Sequence, residues 1–453
     1  MTSQLPKFRV AVCGGGIGGI VTAYALGKLK DVEVEVYEAA SEFAEVGAGI
    51  GMNRRSWEVL KDLGLEEALL KYTPSAPNSN EIVPSIYAFK SDQPEPGVNF
   101  ITASMQGGIA PFLRSDFHGA IIKQLPPRVR TFTSKRLVSY IESPSSSSIT
   151  LTFTDGSTAT CDILIGADGV KSAVRGYMLE GLARKAEKDD DIQKAGDLRG
   201  LVKAKWSGVM VYRVLVPAEK LAQIDPEHPA LKRPVQYFGK NRHTVSYPVA
   251  QGKIVNLAIF EADYTREGIL YPEPWVESHV NTKSIIEAFK DWDPNARHLV
   301  GAIEGLNVNK WAVNVVSGLP SFSSSRVALL GDAAHSMTPF LGAGAGQAIE
   351  DAYVISALLS SPLTTRDTIP KALEIYSRIR LPVAYLVFER SRQSGRYCGF
   401  YDPENPGLES GAWDLEKLAE DLRENREWHL GVPHPKEAMA KALALLGECA
   451  KLT

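Results

Sequence analysis

The sequence predicts an α/β fold joined to a second, antiparallel-sheet domain and a helical C-terminal segment. Three observations carry this. Residues 7–38 run from a short apolar strand through a glycine cluster and a small-residue helix to a second strand, the βαβ order of a parallel, Rossmann-like sheet. Residues 207–262 instead carry period-two apolar runs divided by turn residues, as antiparallel strands require. From Ile369 to Tyr397 the apolar positions recur at helical spacing, and Leu415–Trp428 and Lys436–Leu446 repeat the pattern.

The elements follow in order. Phe8–Cys13 is the first strand, Gly18–Leu29 a helix, and Val32–Glu38 a strand alternating apolar with charged residues. Residues 75–108 are rich in Pro, Ser and Gly around a strand-like piece at Ile82–Lys90. Leu137–Ile141 and Ile149–Phe153 flank Ser143, Pro144 and Ser145–Ser148, which reads as a hairpin turn. The charged stretch 180–206 is either a helix pair or a loop. Val209–Val216, His243–Val249 and Ile254–Phe260 are the antiparallel strands, and the chain then returns to a buried strand, Arg326–Leu330, and a helix beginning near Gly344. The expected division is therefore discontinuous: 1–75, 105–180 and 310–370 in the nucleotide-binding domain, 76–104 and 181–309 in the second domain, and 371–453 as the C-terminal segment.

Composition limits what such a chain does. Its 50 Lys and Arg against 53 Asp and Glu leave no basic surplus to draw in phosphate backbones or anionic lipid. Nucleic acid and membrane are not expected partners. The apolar stretch 9–26 is broken by glycines, and a cytoplasmic location is expected. The four cysteines, Cys13, Cys161, Cys398 and Cys449, are scattered, and no His pair has metal-ligand spacing, so no metal is called for.

The first chemical signal is Gly14-Gly15-Gly16-Ile17-Gly18-Gly19, which satisfies GxGxxG directly between a strand and a helix. Gly14 allows the tight turn, Gly16 lets backbone approach a pyrophosphate, and Gly19 permits close helix-to-strand packing. Glu38 ends the second strand 19 residues after Gly19, where a carboxylate accepts from ribose hydroxyls. A dinucleotide is expected, but this motif does not separate FAD from NAD.

Two further stretches do. Residues 161–175, CDILIGADGVKSAVR, and residues 326–352, RVALLGDAAHSMTPFLGAGAGQAIEDA, resemble the second and third nucleotide motifs of the group A flavoprotein aromatic hydroxylases, in particular the salicylate hydroxylase-like members and the fungal phenol-dearomatising enzymes near them. The resemblance implies FAD, with Asp168 and Gly169 in the second motif, and Asp332, Pro339, Gly342, Gly344 and Gly346 in the third. A carboxylate at a strand end suits ribityl hydroxyls, and glycines ahead of a helix let N–H groups approach the flavin ring. Arg114 matches an arginine placed near the ribose and pyrophosphate, although Leu113 stands where the family more often has His. Arg55, in Asn53-Arg54-Arg55, falls near the flavin or belongs to a solvated charge cluster.

The resemblance also implies the reaction: NADPH or NADH reduces FAD, O2 adds to give a C4a-hydroperoxide, and oxygen passes to a small aromatic molecule. Its substrate-domain motifs are matched by Tyr212-Arg213 and by His243-Thr-Val-Ser-Tyr247-Pro248. Positions 243 and 247 share a strand face, so Arg213, Tyr247 and His243 are the candidates to hold a phenolate, with Tyr237 an alternative to Tyr247. A solvated edge-strand histidine is the competing reading of His243. Salicylate-type hydroxylation and dearomatisation of a polyketide-type resorcinol aldehyde both remain open. So do a flavin dehydrogenase or halogenase, a non-catalytic flavoprotein, and monomer or homodimer. The C-terminal segment closes the site, forms a dimer contact or caps the fold.

Overall fold

A computed structural model describes residues 6–43, 49–77, 79–143 and 148–451. The expected turn at Pro144–Ser147 lies outside these residues. Its two flanks do pair, as Leu137–Ser143 with Ser148–Phe153, and Thr158–Cys161 completes a three-stranded antiparallel sheet.

The first sheet has six strands in the spatial order Ser323–Ser324, Val327–Leu329, Ile163–Gly166, Phe8–Cys13, Val32–Tyr37 and Arg130–Phe132. All neighbours are parallel except the first pair. Its central strands, Phe8–Cys13, Ile163–Gly166 and Val327–Leu329, are short, apolar and buried. Ala173–Lys188 and Ile192–Gly200 pack there through Met178, Leu179, Ala183, Ala195 and Leu198. The charged stretch is thus a helix pair, and it lies on the nucleotide-side sheet, across the expected boundary at 180.

The second sheet has eight strands, ordered Val276–Glu277, Asn309–Val315, Lys205–Pro217, Ile254–Ala262, Arg242–Val249, Val235–Gly239, Ile82–Lys90 and Val98–Gln106. Every pair is antiparallel except Val235–Gly239 with Ile82–Lys90. Asn309–Val315 crosses the expected boundary at 310 in the other direction. One face carries Val214, Leu257, Ile259 and Tyr237 and is covered by Thr282–Glu287 and Pro294–Gly301 through Ile285, Phe289, Leu299 and Val300.

Gly344–Ser360, Ile369–Cys398 and Pro435–Ala450 pack against one another beside the first sheet, and Leu415–Arg426 lies over the far end of the second. No described helix is long and apolar enough to cross a membrane.

Candidate active site

The glycine turn is built as its spacing requires. Gly14 has φ +107°, and a Cβ there would lie 2.1 Å from the Ala167 carbonyl oxygen. A Cβ at Gly19 would lie 2.0 Å from the Gly14 carbonyl oxygen, so only glycine lets the helix Ile17–Gly27 come this close to the turn. Gly16 faces open space, and it begins that helix with no side-chain cap. Uncapped N–H groups over an open cradle suit an anionic pyrophosphate. Glu38 accepts from the N–H of Gly15 at 2.7 Å and of Ala40 at 2.7 Å, which holds its carboxylate over the turn. His118 was not anticipated. It is buried on Arg114–Ile122, and its Nε2 meets the Gly15 carbonyl at 2.6 Å, propping the turn from behind. Arg114 opens that same helix, partly buried.

Asp168 does different work from that expected. Its carboxylate accepts from the Ser172 hydroxyl and from the N–H groups of Ala173 and Val174, so it is committed to shaping the turn through Gly169 (φ +76°) and starting Ala173–Lys188. Burial raises its pKa against those hydrogen bonds. Asp332 is the reverse case. It is exposed in the first turn of Asp332–His335, Gly331 takes the cap position, and no described residue pairs with its carboxylate. The N-cap role is therefore not what its side chain does, and it is available to hydroxyl donors.

Past it, Pro339–Leu341 forms a tight turn, Gly342 adopts a left-handed φ of +61°, and Gly344–Ser360 begins without a side-chain cap. Gly346 lets that helix sit on Ser56, whose Oγ would lie 2.5 Å from a Cβ there. The turn is pinned to Ile369–Cys398 at two points. Thr338 and Ser391 exchange hydrogen bonds, and the Phe340 ring occupies the space a Cβ at Gly395 would fill, 2.1 Å from the ring edge.

Arg55 is a structural tie. Its guanidinium is bidentate on Glu350 at 2.6 and 3.0 Å, donates to the Pro433 carbonyl at 2.9 Å, and lies over the Trp428 ring. Glu350 and Asp351 also receive Arg380, which is fully buried, and Asp351 accepts from Gly331 N–H and pairs with His335. Burial would raise the Asp351 pKa, but His335 and Arg380 hold it at about 2. A solvated charge cluster does not describe Arg55, whose side chain is 9% exposed. It belongs to a buried network under the third motif.

The uncovered face of the second sheet carries the substrate candidates. Arg213 pairs across strands with Ala258, Ala258 with Val245, Tyr247 with Asn256, and His243 with Phe260. Paired residues share a face, so Arg213, Tyr247 and His243 do converge. Tyr212 and Tyr237 point the other way, Tyr212 to Glu261 and Tyr237 into the core behind the sheet, which removes Tyr237 as the alternative. Val245, Ala258, Arg213, Tyr247 and Trp311 are only half-buried although all but Trp311 sit on strands deep within the sheet, so this face opens on a cleft. Its rim comes from the nucleotide side. Gly49 backs onto the Tyr247 hydroxyl and donates to Asn256 at 2.7 Å, while Phe340 meets His243 and Phe260 with ring centroids 5.2 Å away from each.

His243 is neither solvated nor on an edge strand. It is 2% exposed, stacked on Phe260 at 4.5 Å, and its Nε2 has no hydrogen-bond partner. Burial lowers its pKa to about 3, so it is neutral at physiological pH. Burial pushes Tyr247 up to about 12, with Arg213 pulling the other way, so its hydroxyl stays protonated beside a cation.

Comparison with known proteins agrees with this geometry. The profile of the family described as FAD binding domain matches residues 7–213 and 295–391, more than half the chain. The chain is 40% identical to the FAD-dependent monooxygenase str9 of Strobilurus tenacellus over 98% of each chain, and 32% identical to a salicylate hydroxylase of Pseudomonas putida over 89% of this chain and 88% of that one. Among solved structures, a salicylate hydroxylase substrate complex superposes with a TM-score of 0.79 at 29% identity, covering 98% of both chains. The open glycine cradle, the free Asp332 carboxylate and the uncapped helix after Pro339 fit FAD. The chain belongs to the family of FAD-dependent aromatic-ring monooxygenases that includes salicylate hydroxylase.

Proposed function

We propose that the protein uses NADPH or NADH and O2 to hydroxylate a small phenolic aromatic held on the open face of the second sheet. The observation that carries this reading is the convergence of Arg213, Tyr247 and His243 on one half-covered face, rimmed by Gly49 and Phe340 from the nucleotide side. FAD, when bound, supplies the two-electron reduction and the activation of O2. Gly14, Gly16, Gly19 and Glu38 would hold its adenosine and pyrophosphate part. Arg114 and Asp332 would hold the linker, and Gly342, Gly344 and Gly346 the ring.

The chain's own contribution is to position and polarise the substrate. A phenolate donates electrons to its ring far more readily than a phenol, so a cation that stabilises it promotes attack on an electron-poor oxygen. Arg213 is that cation. Tyr247, protonated, donates a hydrogen bond to the same oxygen, His243 stays neutral and buried in the wall beside Phe260 and Phe340, and the phenolic proton leaves to solvent as the substrate enters. Phe260, Val245, Ala258 and Trp311 exclude water from the ring.

The test is NAD(P)H oxidation by the purified yellow protein in air, with product masses, across hydroxybenzoates and alkylated resorcinol aldehydes. A compound that speeds oxidation and gains one oxygen supports the reading, and loss of its aromatic absorbance would assign dearomatisation. Arg213→Ala is expected to keep FAD and lose most aromatic-dependent product, by about a hundredfold for a charged hydrogen bond. Unchanged turnover would remove Arg213 from the mechanism.

A further inference from the structure

Among the described residues Arg175 and Arg380 are buried in the interior and Arg426 is half-buried, and the three are satisfied differently. Arg175 donates to the carbonyls of Val170, Val202 and Ala333. Arg380 is held by Glu350, Asp351 and Gln347. Arg426 has a single hydrogen bond, from Nη2 to the Gln236 side-chain carbonyl at 3.1 Å, and among the described residues no carboxylate lies within ion-pair distance of it. Withdrawing a cation from water without a counter-charge is costly, and burial lowers the Arg426 pKa accordingly.

Its place in the fold says what the open donors face. Arg426 is the last residue of Leu415–Arg426, whose Leu418, Ala419 and Leu422 pack on Phe238 and Ile101 of the second sheet. Position 426 follows Leu422 by one turn on the same helix face, which turns the guanidinium toward the sheet. A role in balancing the helix dipole does not require this, because Arg423, exposed one turn earlier, already supplies a cation to the helix end.

Gln236 is 5% exposed and pairs with Val245, Val245 with Ala258, and Ala258 with Arg213. These four residues form one cross-strand row on the cleft face, polar at both ends and apolar between. Three strand spacings separate the Cα atoms of Gln236 and Arg213, about 14 Å. With Arg213 at one end of the row and Gln236, bound by Arg426, at the other, the apolar floor of Val245 and Ala258 between them suits one aromatic ring.

We propose that Arg426 is a substrate-recognition residue supplied by the C-terminal segment, binding a carboxylate on the ring remote from the phenolic oxygen held by Arg213. This deepens the proposed function and rests on it. A guanidinium with a free edge favours a bidentate carboxylate over a neutral amide. Opposite ends of one ring require a meta or para relation, and ortho groups cannot span the row.

The test uses the FAD-loaded protein and titrates the flavin absorbance change with 4-hydroxybenzoate, 4-hydroxybenzamide and salicylate in wild type, Arg426→Gln and Arg426→Lys, after checking that FAD content and thermal midpoint are retained. Wild type is expected to bind 4-hydroxybenzoate about tenfold or more tighter than the amide. Arg426→Gln should erase that preference by weakening the acid alone, and Arg426→Lys should restore part of it. A preference that survives Arg426→Gln overturns the assignment while leaving the monooxygenase reading intact. So does a wild type that responds to salicylate and not to 4-hydroxybenzoate. If no phenol perturbs the flavin or stimulates NAD(P)H oxidation, the proposed function and this inference fall together.

Discussion

A Cβ at Gly19 would sit 2.0 Å from a backbone oxygen that cannot yield without opening the turn. Gly19→Ala is therefore expected to fold with little bound FAD, read as the flavin-to-protein absorbance ratio after purification. Full occupancy would mean that the helix slides without harm to the cradle. That residue was legible because its requirement is steric and local. His243 was legible only in part. Its strand face follows from alternation, but its solvent does not, because whether Arg242–Val249 lies at an edge or inside depends on pairing with Val235–Gly239 and Ile254–Ala262 on either side. The consequence is a pH effect of defined sign. With a folded pKa of about 3 against the ordinary 6.5, His243 takes a proton on unfolding but not in the native state, so stability is full above pH 6.5 and falls as pH drops toward 3. Between pH 7 and pH 4.5 the loss from this group is about 3 kcal/mol. Urea unfolding of His243→Phe at the two pH values should show that much less acid sensitivity than wild type, and equal sensitivity would argue against a neutral buried imidazole.

At the scale of elements, Gly344–Ser360 and Ile369–Cys398 are joined by charges rather than by apolar ridges alone. Arg380 from the long helix meets Glu350 and Asp351 from the other, and Arg55 closes the group from Arg54–Asp62. Removing Arg380 leaves Glu350 to Arg55 and Asp351 to His335 and the Gly331 N–H, with one buried cation lost between them, so Arg380→Ala is expected to cost about 3 kcal/mol in urea unfolding. A loss under about 1 kcal/mol would mean that water reaches the network. The helices themselves were readable from the 3.6-residue period. Their charge pairing was not, because a Glu-Asp pair and an isolated Arg in a helix read as solvated faces until the packing partner is known. The same reason hid Arg426, four residues beyond Leu422 on an otherwise ordinary amphipathic helix.

For the whole molecule, the C-terminal segment touches both sides of the site. Trp428 and Val432 pack with Met337, Leu341 and Ala343 of the third motif, and Pro433, His434 and Lys436 bind Arg55, Glu58 and Asp62 of the helix beside the rim strand. Ala442 and Leu446 then join the core beneath the first sheet. A chain ending after Arg426 is expected to release FAD at a lower temperature than wild type, followed by flavin fluorescence on heating, since the turn that would face the flavin ring loses its outer support. An unchanged release temperature would reduce the segment to a cap. The sequence by itself determined the two sheets, the glycine cradle and the shared strand face of His243 and Tyr247, because each depends on local sterics or on a short period, while the second and third nucleotide motifs were legible through a family resemblance. Only the tertiary structure decided that Asp168 builds a turn, that Arg55 pairs with Glu350, that His243 is buried and that the C-terminal segment packs on both the second sheet and the third motif. Those outcomes depend on which distant residue takes up a charge or displaces water, and no local pattern encodes that partner.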